Sequence, residues 1–142
     1  MAESEHIHSH NQFPIAVDIS ICIVTFNCSQ FLVRCLKSLP FSTGSYTSEI
    51  IVVDNNSTDN TQYMMKKDFS HIQLIINETN IGFAAANNKA IAIASGKYIV
   101  ILNPDTLVSL DCLSILAQFL DSHPNTGICG PKVQNENGTL QK

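Results

Sequence analysis

The chain has 142 residues, of which 44% are hydrophobic and 14% are charged, and its formal net charge is −4. This composition indicates one globular domain with a real core and excludes a disordered chain. No basic stripe supports a nucleic-acid partner, and no apolar run approaches the ~20 residues of a membrane span.

The N-terminal residues and the cysteines indicate where the folded domain begins and in which compartment the protein lies. Residues 1–16 are polar and predict a flexible tail, and residues 17–142 are expected to form the folded domain. The five cysteines are an odd number without a Cys-x-x-Cys pair. They predict reduced thiols and a cytoplasmic protein, which leaves peripheral membrane association of a longer protein open.

Four strand–helix units follow in chain order. The predicted strands are 18–26, 50–53, 72–76 and 98–102, and the predicted helices are 29–39, 59–68, 83–95 and 110–120. The strands are continuous apolar runs, which is typical of strands buried on both faces of a parallel sheet. The chain is therefore expected to form an α/β fold with a mostly parallel sheet.

The sequence also predicts where helices are capped and how the chain continues after the fourth helix. We expect Ser57 or Thr58 to cap the second helix, and Gly96 to cap the third helix at its C-terminus. A last strand is predicted at 128–133, and 135–138 reads as a hairpin turn before Thr139 and Leu140 begin a return strand.

Polar clusters follow three of the predicted strands, at Thr25–Asn27, Asp54–Asn56 and Asn103–Asp105. The carboxyl ends of parallel strands open into the crevice that binds ligands in α/β sheets. One acid after a strand is more often a turn or capping residue. Two carboxylates surrounded by amides favour a ligand site.

Several ligand motifs are missing. No Gly-x-Gly-x-x-Gly follows the first strand, and Ser95-Gly96-Lys97 precedes a strand, so it is not a phosphate loop. A calcium loop starting at Asp54 fails at Asp59 and Met65. A receiver domain would need paired acids where Thr25–Asn27 stands. The crevice instead suits a divalent cation, Mg²⁺ or Mn²⁺, with a hydroxyl-rich or imide-bearing ligand.

Four segments in order carry a family resemblance: 23–27 (Ile-Val-Thr-Phe-Asn), 51–59 (Ile-Val-Val-Asp-Asn-Asn-Ser-Thr-Asp), 80–84 (Asn-Ile-Gly-Phe-Ala) and 103–106 (Asn-Pro-Asp-Thr). Together they resemble the motifs of glycosyltransferase family 2, and most of all its rhamnosyltransferase-like branch, over residues 18–142. The resemblance implies a three-layer, Rossmann-like nucleotide-diphospho-sugar transferase fold. It also implies inverting transfer from a UDP- or dTDP-sugar, such as dTDP-rhamnose, to a glycan or lipid-linked acceptor in polysaccharide and cell-wall biosynthesis.

The resemblance also implies roles for residues. Asp54 would accept the ring N–H of uracil or thymine, and Thr25 would line the base pocket. The Asn80–Phe83 turn and the helix behind it, with Asn87, Asn88 and Lys89, would flank the ribose and diphosphate. Asp105 would bind the Mg²⁺ or Mn²⁺ between the phosphates. The implied nucleotide-sugar-binding set is Thr25, Phe26, Asn27, Asp54, Asn56, Asn80, Gly82, Phe83, Asn87, Asn103 and Asp105.

This sequence departs from the family pattern in two ways, which leaves other functions open. The family's Asp-x-Asp stands here as Asn103-Pro104-Asp105, so only its last position carries charge. The family's general base belongs to a downstream acceptor half, so we expect that base beyond Lys142. We therefore expect this chain to be truncated after the donor-binding half and inactive alone. A non-catalytic nucleotide-sugar-binding or interaction module is the alternative. A nucleotidyltransferase would need a Gly-rich, basic loop where residues 27–31 stand.

Overall fold

The computed structural model describes residues 16–135 and 137–141. All four predicted strand–helix units are present. The strands are β1 (Ile19–Thr25), β2 (Ser48–Asp54), β3 (Gln73–Ile76) and β4 (Tyr98–Leu102). The helices are α1 (Ser29–Ser38), α2 (Thr61–Asp68), α3 (Phe83–Ile93) and α4 (Cys112–Ser122), with a 3₁₀ turn at Leu39–Phe41. The predicted tail at 1–16 lies outside the described residues, except for Ala16, and so does Lys142.

The four strands form one parallel sheet in the order β3-β2-β1-β4. All seven residues of β1 are buried, because the strand is central and helices cover both of its faces. Alternate residues of β1 therefore enter different cores. The α/β fold class with a mostly parallel sheet is confirmed.

Helices pack on both faces of the sheet. One core joins β1 residues such as Ile21 and Ile23 to Leu32 of α1, Met65 of α2 and Leu113 of α4. Burying each of these isoleucines contributes about 1.5–3 kcal/mol. The other core packs Cys22 and Val24 against two small residues of α3, Ala86 and Ala90. The small side chains let α3 lie close to the strands, so the domain has three layers.

The strand order places a topological switch point beside β1. The chain steps from β1 outward to β2 and β3, and then returns to the other side of β1 as β4. In open α/β sheets the ligand crevice lies at such a point, outside the carboxyl ends of the strands. The fold therefore brings the segments that follow β1, β2 and β4 to one edge, which we call the carboxyl edge.

The capping prediction for Gly96 is wrong. Helix α3 ends at Ile93, its C-cap is Ala94 in an extended conformation, and Gly96 begins the approach to β4. A Cβ on Gly96 would lie 2.5 Å from the main-chain nitrogen of Ser20. The glycine is therefore required by close backbone packing against β1, and not by the end of the helix.

The strand predicted at 128–133 is also wrong. Within the described residues these six form no ladder, and the side chain of Ile128 is 91% exposed. An apolar run becomes a strand only where a neighbouring strand pairs with it, and the described ladders of β1 to β4 do not include residues 128–133. The hairpin prediction is confirmed. Gln134 and Leu140 form an antiparallel bridge, and the N–H of Gly138 donates to the carbonyl of Asn135.

The five cysteines are free thiols, with Cys22 and Cys35 buried. Among residues 16–135 and 137–141, no helix is long and apolar enough to cross a bilayer.

Candidate functional site

Asn27 joins the first two segments of the carboxyl edge. Its φ of 50° lies in the left-handed region that asparagine tolerates better than most residues. In this turn its main-chain N–H donates to the hydroxyl of Ser57 over 2.9 Å. Its side-chain Oδ1 accepts from the N–H groups of Thr58 (2.8 Å) and Asp59 (3.3 Å). Asn27 therefore fixes the loop after β2 against the loop after β1.

These contacts correct the prediction that Ser57 or Thr58 caps α2. The N-cap of that helix is Asn60, which makes no side-chain capping bond. The hydroxyl of Ser57 is occupied by Asn27, 30 residues earlier. Asp59 instead accepts from the N–H of Thr61 (2.9 Å) and from that of Ser29 (3.1 Å). Burial raises the pKa of the Asp59 carboxyl, but hydrogen bonding by Thr61 and Ser29 outweighs burial and leaves the pKa lowered.

Asp54 is the last residue of β2 and is fully buried. Its Oδ2 accepts from the main-chain N–H of Ser57 (3.0 Å) and from the side-chain amide of Gln62 (2.8 Å). Its Oδ1 is buried without a hydrogen-bond partner. A buried carboxylate oxygen left in this state costs free energy, so its presence needs an explanation.

Three buried side-chain oxygens in the described part of the chain lack a partner: Asp54 Oδ1, Thr61 Oγ1 and Asn87 Oδ1. They belong to the end of β2, to the first residue of α2 and to the second turn of α3, so all three lie toward the carboxyl edge.

Thr25 is paired with Asp54 in the sheet register and is likewise buried. Its hydroxyl lies 3.1 Å from Cys28 Sγ, and its carbonyl accepts from the N–H of Asn55 over 2.8 Å. The next residue, Phe26, is about half exposed. Asn56 is exposed as well and adopts a φ of 67°.

The Asn80–Phe83 turn leads into α3. Gly82 has φ 83° and ψ 166°, a combination that essentially only glycine adopts. Asn80 stabilises the turn by accepting the N–H of Gly82 at its Oδ1 over 2.9 Å. Phe83, the first residue of the helix, is about half exposed. The turn thus has a defined shape with an aromatic side chain at its surface.

The polar residues of α3 separate into different roles. Asn87 is buried, and its amide nitrogen donates to the carbonyl of Phe83 over 3.0 Å. Asn88 is exposed. Lys89 turns toward the end of β3, where its ammonium donates to Oδ1 of Asn77 over 2.6 Å.

The last cluster lies on the far side of β1 from Asp54. The side chains of Asn103 and Asp105 are exposed, and the carbonyl of Asn103 accepts from the N–H of Thr106 in a turn. Burial, followed by the nearby Asp105 carboxylate, raises the pKa of the Cys35 thiol to about 12. Cys35 is therefore an inert thiol of α1 beside this turn.

The donor set here fits a cation only together with phosphate. Among the described residues, no three His, Cys, Asp or Glu side chains are grouped to hold a metal ion. Mg²⁺ and Mn²⁺ sites commonly use one or two carboxylates and complete their coordination with substrate phosphates and water. The exposed Asp105 carboxylate can supply one such hard oxygen ligand.

The structure thus brings Thr25, Asn27 and Asp54 into one hydrogen-bonded region and places Asp105 across the switch point. Four residues that build this region were not in the predicted binding set: Asn55, Ser57, Gln62 and Asn77. Asn77 had a usable signal, because it directly follows β3 and obeys the strand-end rule that marked the other clusters. Gln62 had none, since its contact with Asp54 depends on how α2 packs.

The three-layer arrangement, with polar residues at the carboxyl edge of a parallel sheet, defines an α/β domain of the Rossmann-like class. Residues 20–142 match the family described as "Glycosyl transferase family 2". The chain therefore belongs to glycosyl transferase family 2, and the family resemblance found in the sequence is confirmed at that level.

Known proteins support the same assignment. The chain is 31% identical over 121 residues to a chondroitin synthase of Pasteurella multocida, an alignment that covers 83% of this chain. It superposes with a TM-score of 0.67 and 26% identity on S. aureus TarS 1-349 in complex with UDP, over 76% of this chain. A mannosyltransferase from Pyrobaculum calidifontis in complex with GDP-Man and Mn²⁺ shares the fold, with a TM-score of 0.61 and 24% identity over 76% of this chain.

The chain spans a minor part of these proteins. It covers 12% of the chondroitin synthase, 33% of the TarS chain and 34% of the mannosyltransferase chain. What those whole proteins bind and transfer therefore bears on this chain only as a basis for proposals.

Proposed function

We propose that residues 17–142 form the donor-binding domain of a glycosyltransferase that binds a nucleotide-diphospho-sugar. The observation that carries the proposal is Asp54, a fully buried carboxylate at the carboxyl end of β2 whose Oδ1 has no partner. An acceptor-only oxygen in this position suits a ring N–H donor. Uracil and thymine both present such an imide N–H, and the similarity to TarS in complex with UDP supports this choice.

The surrounding residues fit the rest of a nucleotide. Thr25 lies beside Asp54 in the register and would line the base pocket, with Phe26 as its apolar rim. Asn27 and Asn56 would shape the two loops that close on the base. Asn80, Gly82 and Phe83 would flank the ribose, and the unpartnered Oδ1 of Asn87 would accept from a ribose hydroxyl.

A divalent cation belongs to the proposal as well. Asp105 would hold Mg²⁺ or Mn²⁺ together with the donor diphosphate, while Asn103 is limited to neutral contacts. The cation would supply electrostatic stabilisation of the charge that develops on the leaving diphosphate. Asp105 would orient the diphosphate so that the anomeric carbon faces the acceptor hydroxyl.

No described side chain is assigned as the base that takes the acceptor's proton. Asp121 accepts hydrogen bonds from Tyr46 (2.8 Å) and Tyr98 (2.6 Å) and is paired with Lys97. It contacts the first residue of β4, at the opposite edge of the sheet from Asp105. Lys97, with the two tyrosines, holds the pKa of the Asp121 carboxyl at about 2, which makes it a weak base.

The finer identity of the substrates is proposed from the resemblance. The Asn103-Pro104-Asp105 variant resembles that of the rhamnosyltransferase-like branch, which supports a UDP- or dTDP-sugar donor, with dTDP-rhamnose as the specific choice. The acceptor proposed is a glycan or a lipid-linked molecule in polysaccharide biosynthesis. We place the protein in the cytoplasm, where such donors are found. Peripheral contact of a longer protein with the membrane would bring it to a lipid-linked acceptor.

Calorimetry with the 142-residue chain tests the proposal. UDP and dTDP should bind in the presence of Mn²⁺, whereas CDP should bind much more weakly because cytosine presents a ring nitrogen acceptor where the imide presents N–H. Equal affinity for the three diphosphates would contradict the assignment of Asp54. Transfer from dTDP-rhamnose is a separate measurement, and we expect none above background hydrolysis from this chain.

A further inference from the structure

A line of three side chains leads from α3 to the Asn80–Phe83 turn. The ammonium of Lys89 donates to Oδ1 of Asn77 over 2.6 Å, and the amide nitrogen of Asn77 donates to Oδ1 of Asn55 over 2.8 Å. The amide nitrogen of Asn55 then donates to the main-chain carbonyl of Gly82 over 3.3 Å. We call Lys89, Asn77 and Asn55 the amide relay.

The direction of the amide relay is fixed at both ends. A lysine ammonium can only donate, so Asn77 must turn its oxygen toward Lys89 and its nitrogen toward Asn55. The carbonyl of Gly82 can only accept, so Asn55 must turn its nitrogen toward the turn. Asn55 and Asn77 are only 3% and 2% exposed. Reversing either amide would leave buried groups unsatisfied, which disfavours every other arrangement.

The main chain of the same two asparagines joins the ends of the strands. The N–H of Asn55 donates to the carbonyl of Thr25 over 2.8 Å, and the N–H of Asn77 donates to the carbonyl of Asp54 over 2.9 Å. The amide relay is therefore anchored to the ends of β1 and β2 on one side. On the other side it holds Gly82, whose glycine-only conformation shapes the turn.

We propose that Lys89, Asn77 and Asn55 are positioning residues that fix the Asn80–Phe83 turn relative to Asp54. In this role Lys89 acts through Asn77 and does not contact the diphosphate. The family resemblance instead implied that Lys89 flanks the ribose and diphosphate. The significance for donor binding rests on the proposed function, in which the turn flanks the ribose. The ordering of the turn itself does not depend on that function.

The first experiment measures the turn without any ligand. The chain contains no tryptophan, so an Ile81→Trp variant places a single fluorescent reporter in the turn. Lys89→Met and Asn77→Asp should each lower the fluorescence anisotropy of this reporter, while Lys89→Arg, which keeps a cationic donor, should preserve it. Lys66→Met, which removes an exposed lysine of α2, is the matched control and should change nothing. Unchanged anisotropy in both relay variants would overturn the proposal.

The second experiment is a double-mutant cycle on UDP affinity, measured with Mn²⁺ on variants whose thermal unfolding shows that they are folded. Lys89→Met and Asn77→Asp should each weaken UDP binding by about fivefold, which corresponds to the typical net contribution of one hydrogen bond. The double variant should lose no more than either single one, because both changes break the same relay. Lys89→Arg should restore affinity.

Direct contact between Lys89 and phosphate gives a different result. Lys89→Met would then weaken UDP and leave uridine unchanged, and Asn77→Asp would have no effect on either, which would refute the positioning role. If the unaltered chain fails to bind UDP at all, the proposed function fails. The anisotropy of the tryptophan reporter in the Ile81→Trp variant still decides whether the amide relay orders the turn.

Discussion

The side-chain amide of Gln62 donates to Oδ2 of Asp54 over 2.8 Å, and the other oxygen of that carboxylate has no partner. Because the N–H of Ser57 donates to the same Oδ2, both protein donors hold one side of the group. Helix α2 thereby fixes the orientation of an acceptor that belongs to the end of β2. The free side of the carboxylate is what the proposed base recognition requires.

Asp54→Asn should therefore weaken UDP and dTDP binding to the same extent. An amide can present a donor where the imide N–H needs an acceptor, and losing a hydrogen bond to a charged group costs about 1.5–3 kcal/mol. Isothermal titration calorimetry in the presence of Mn²⁺ measures the change.

The matched control is Asp68→Asn, which makes the same chemical change at an exposed acid at the end of α2. Its affinity should equal that of the unaltered chain. An Asp54→Asn variant that unfolds normally on heating and binds UDP with unchanged affinity would remove Asp54 from the site.

Asp105→Asn should abolish the part of nucleotide binding that depends on metal. UDP at 100 times its dissociation constant stabilises a protein by about 2.7 kcal/mol through mass action. With Mn²⁺ we expect UDP to stabilise the unaltered chain by this amount. With EDTA, UDP should stabilise both proteins by a smaller amount, and the variant should show only this smaller stabilisation even when Mn²⁺ is present. Thermal unfolding with and without Mn²⁺ gives both values.

Asp111→Asn is the control for this experiment, since Asp111 is exposed and its positive φ suits asparagine as well. It should keep the full Mn²⁺-dependent shift. Equal shifts in the Asp105 and Asp111 variants would mean that Asp105 does not hold the cation.

The sequence predicted the elements well where local pattern decides them. Strand β4 occupies the predicted residues 98–102, where the apolar run pairs in parallel with the central strand β1. The expected burial on both faces is wrong for β4, because it lies at the edge of the sheet and exposes Ile99 and Ile101. The carboxyl edge was also predictable, since parallel strands place their ends together. The same logic identified Thr25, Asp54 and Asp105 as neighbours of the switch point.

The sequence failed where a distant partner decides the outcome. Ser57 has the chemistry of a helix cap, but its hydroxyl accepts from Asn27, and no local window contains both residues. Gly96 looks like a helix terminator, yet β1 imposes it through a backbone contact with Ser20, far away in the sequence. The apolar run at 128–133 lacks a paired strand within the described residues, and pairing is a property of the sheet and not of the run.

Acid should destabilise the fold in part through Glu49. This carboxylate accepts from the hydroxyl of Ser20 (2.5 Å) and from the N–H of Ser95 (2.7 Å). Burial raises its pKa, but these hydrogen bonds together lower it below the ordinary value. A lowered folded pKa means that the stabilisation is present above the unfolded pKa of about 4.3 and is lost as the pH falls through the folded pKa.

Glu49→Gln should cost about 1–2 kcal/mol at pH 7, where the charged hydrogen bonds are replaced by neutral ones. The difference between the variant and the unaltered chain should shrink as the pH falls below about 4.3, the unfolded pKa of a glutamate. Urea unfolding at neutral pH and at about pH 3 tests this, with the exposed Glu78→Gln as control. A difference that stays constant across this range would contradict the assigned protonation.

Gly96→Ala should destabilise the fold more than any alanine substitution at an open glycine. A Cβ there would lie 2.5 Å from the main-chain nitrogen of Ser20 and 2.9 Å from the carbonyl carbon of Ile19, so β1 itself would have to move. Overpacking of this kind typically costs about 1–3 kcal/mol. Gly127→Ala is the matched control, because a Cβ at Gly127 meets nothing within 4 Å. Urea unfolding should give a change within about 0.5 kcal/mol for the control. Equal stability of the two variants would mean that the backbone before β4 can shift to accommodate a Cβ at no cost in stability, so that packing against β1 does not require glycine at position 96.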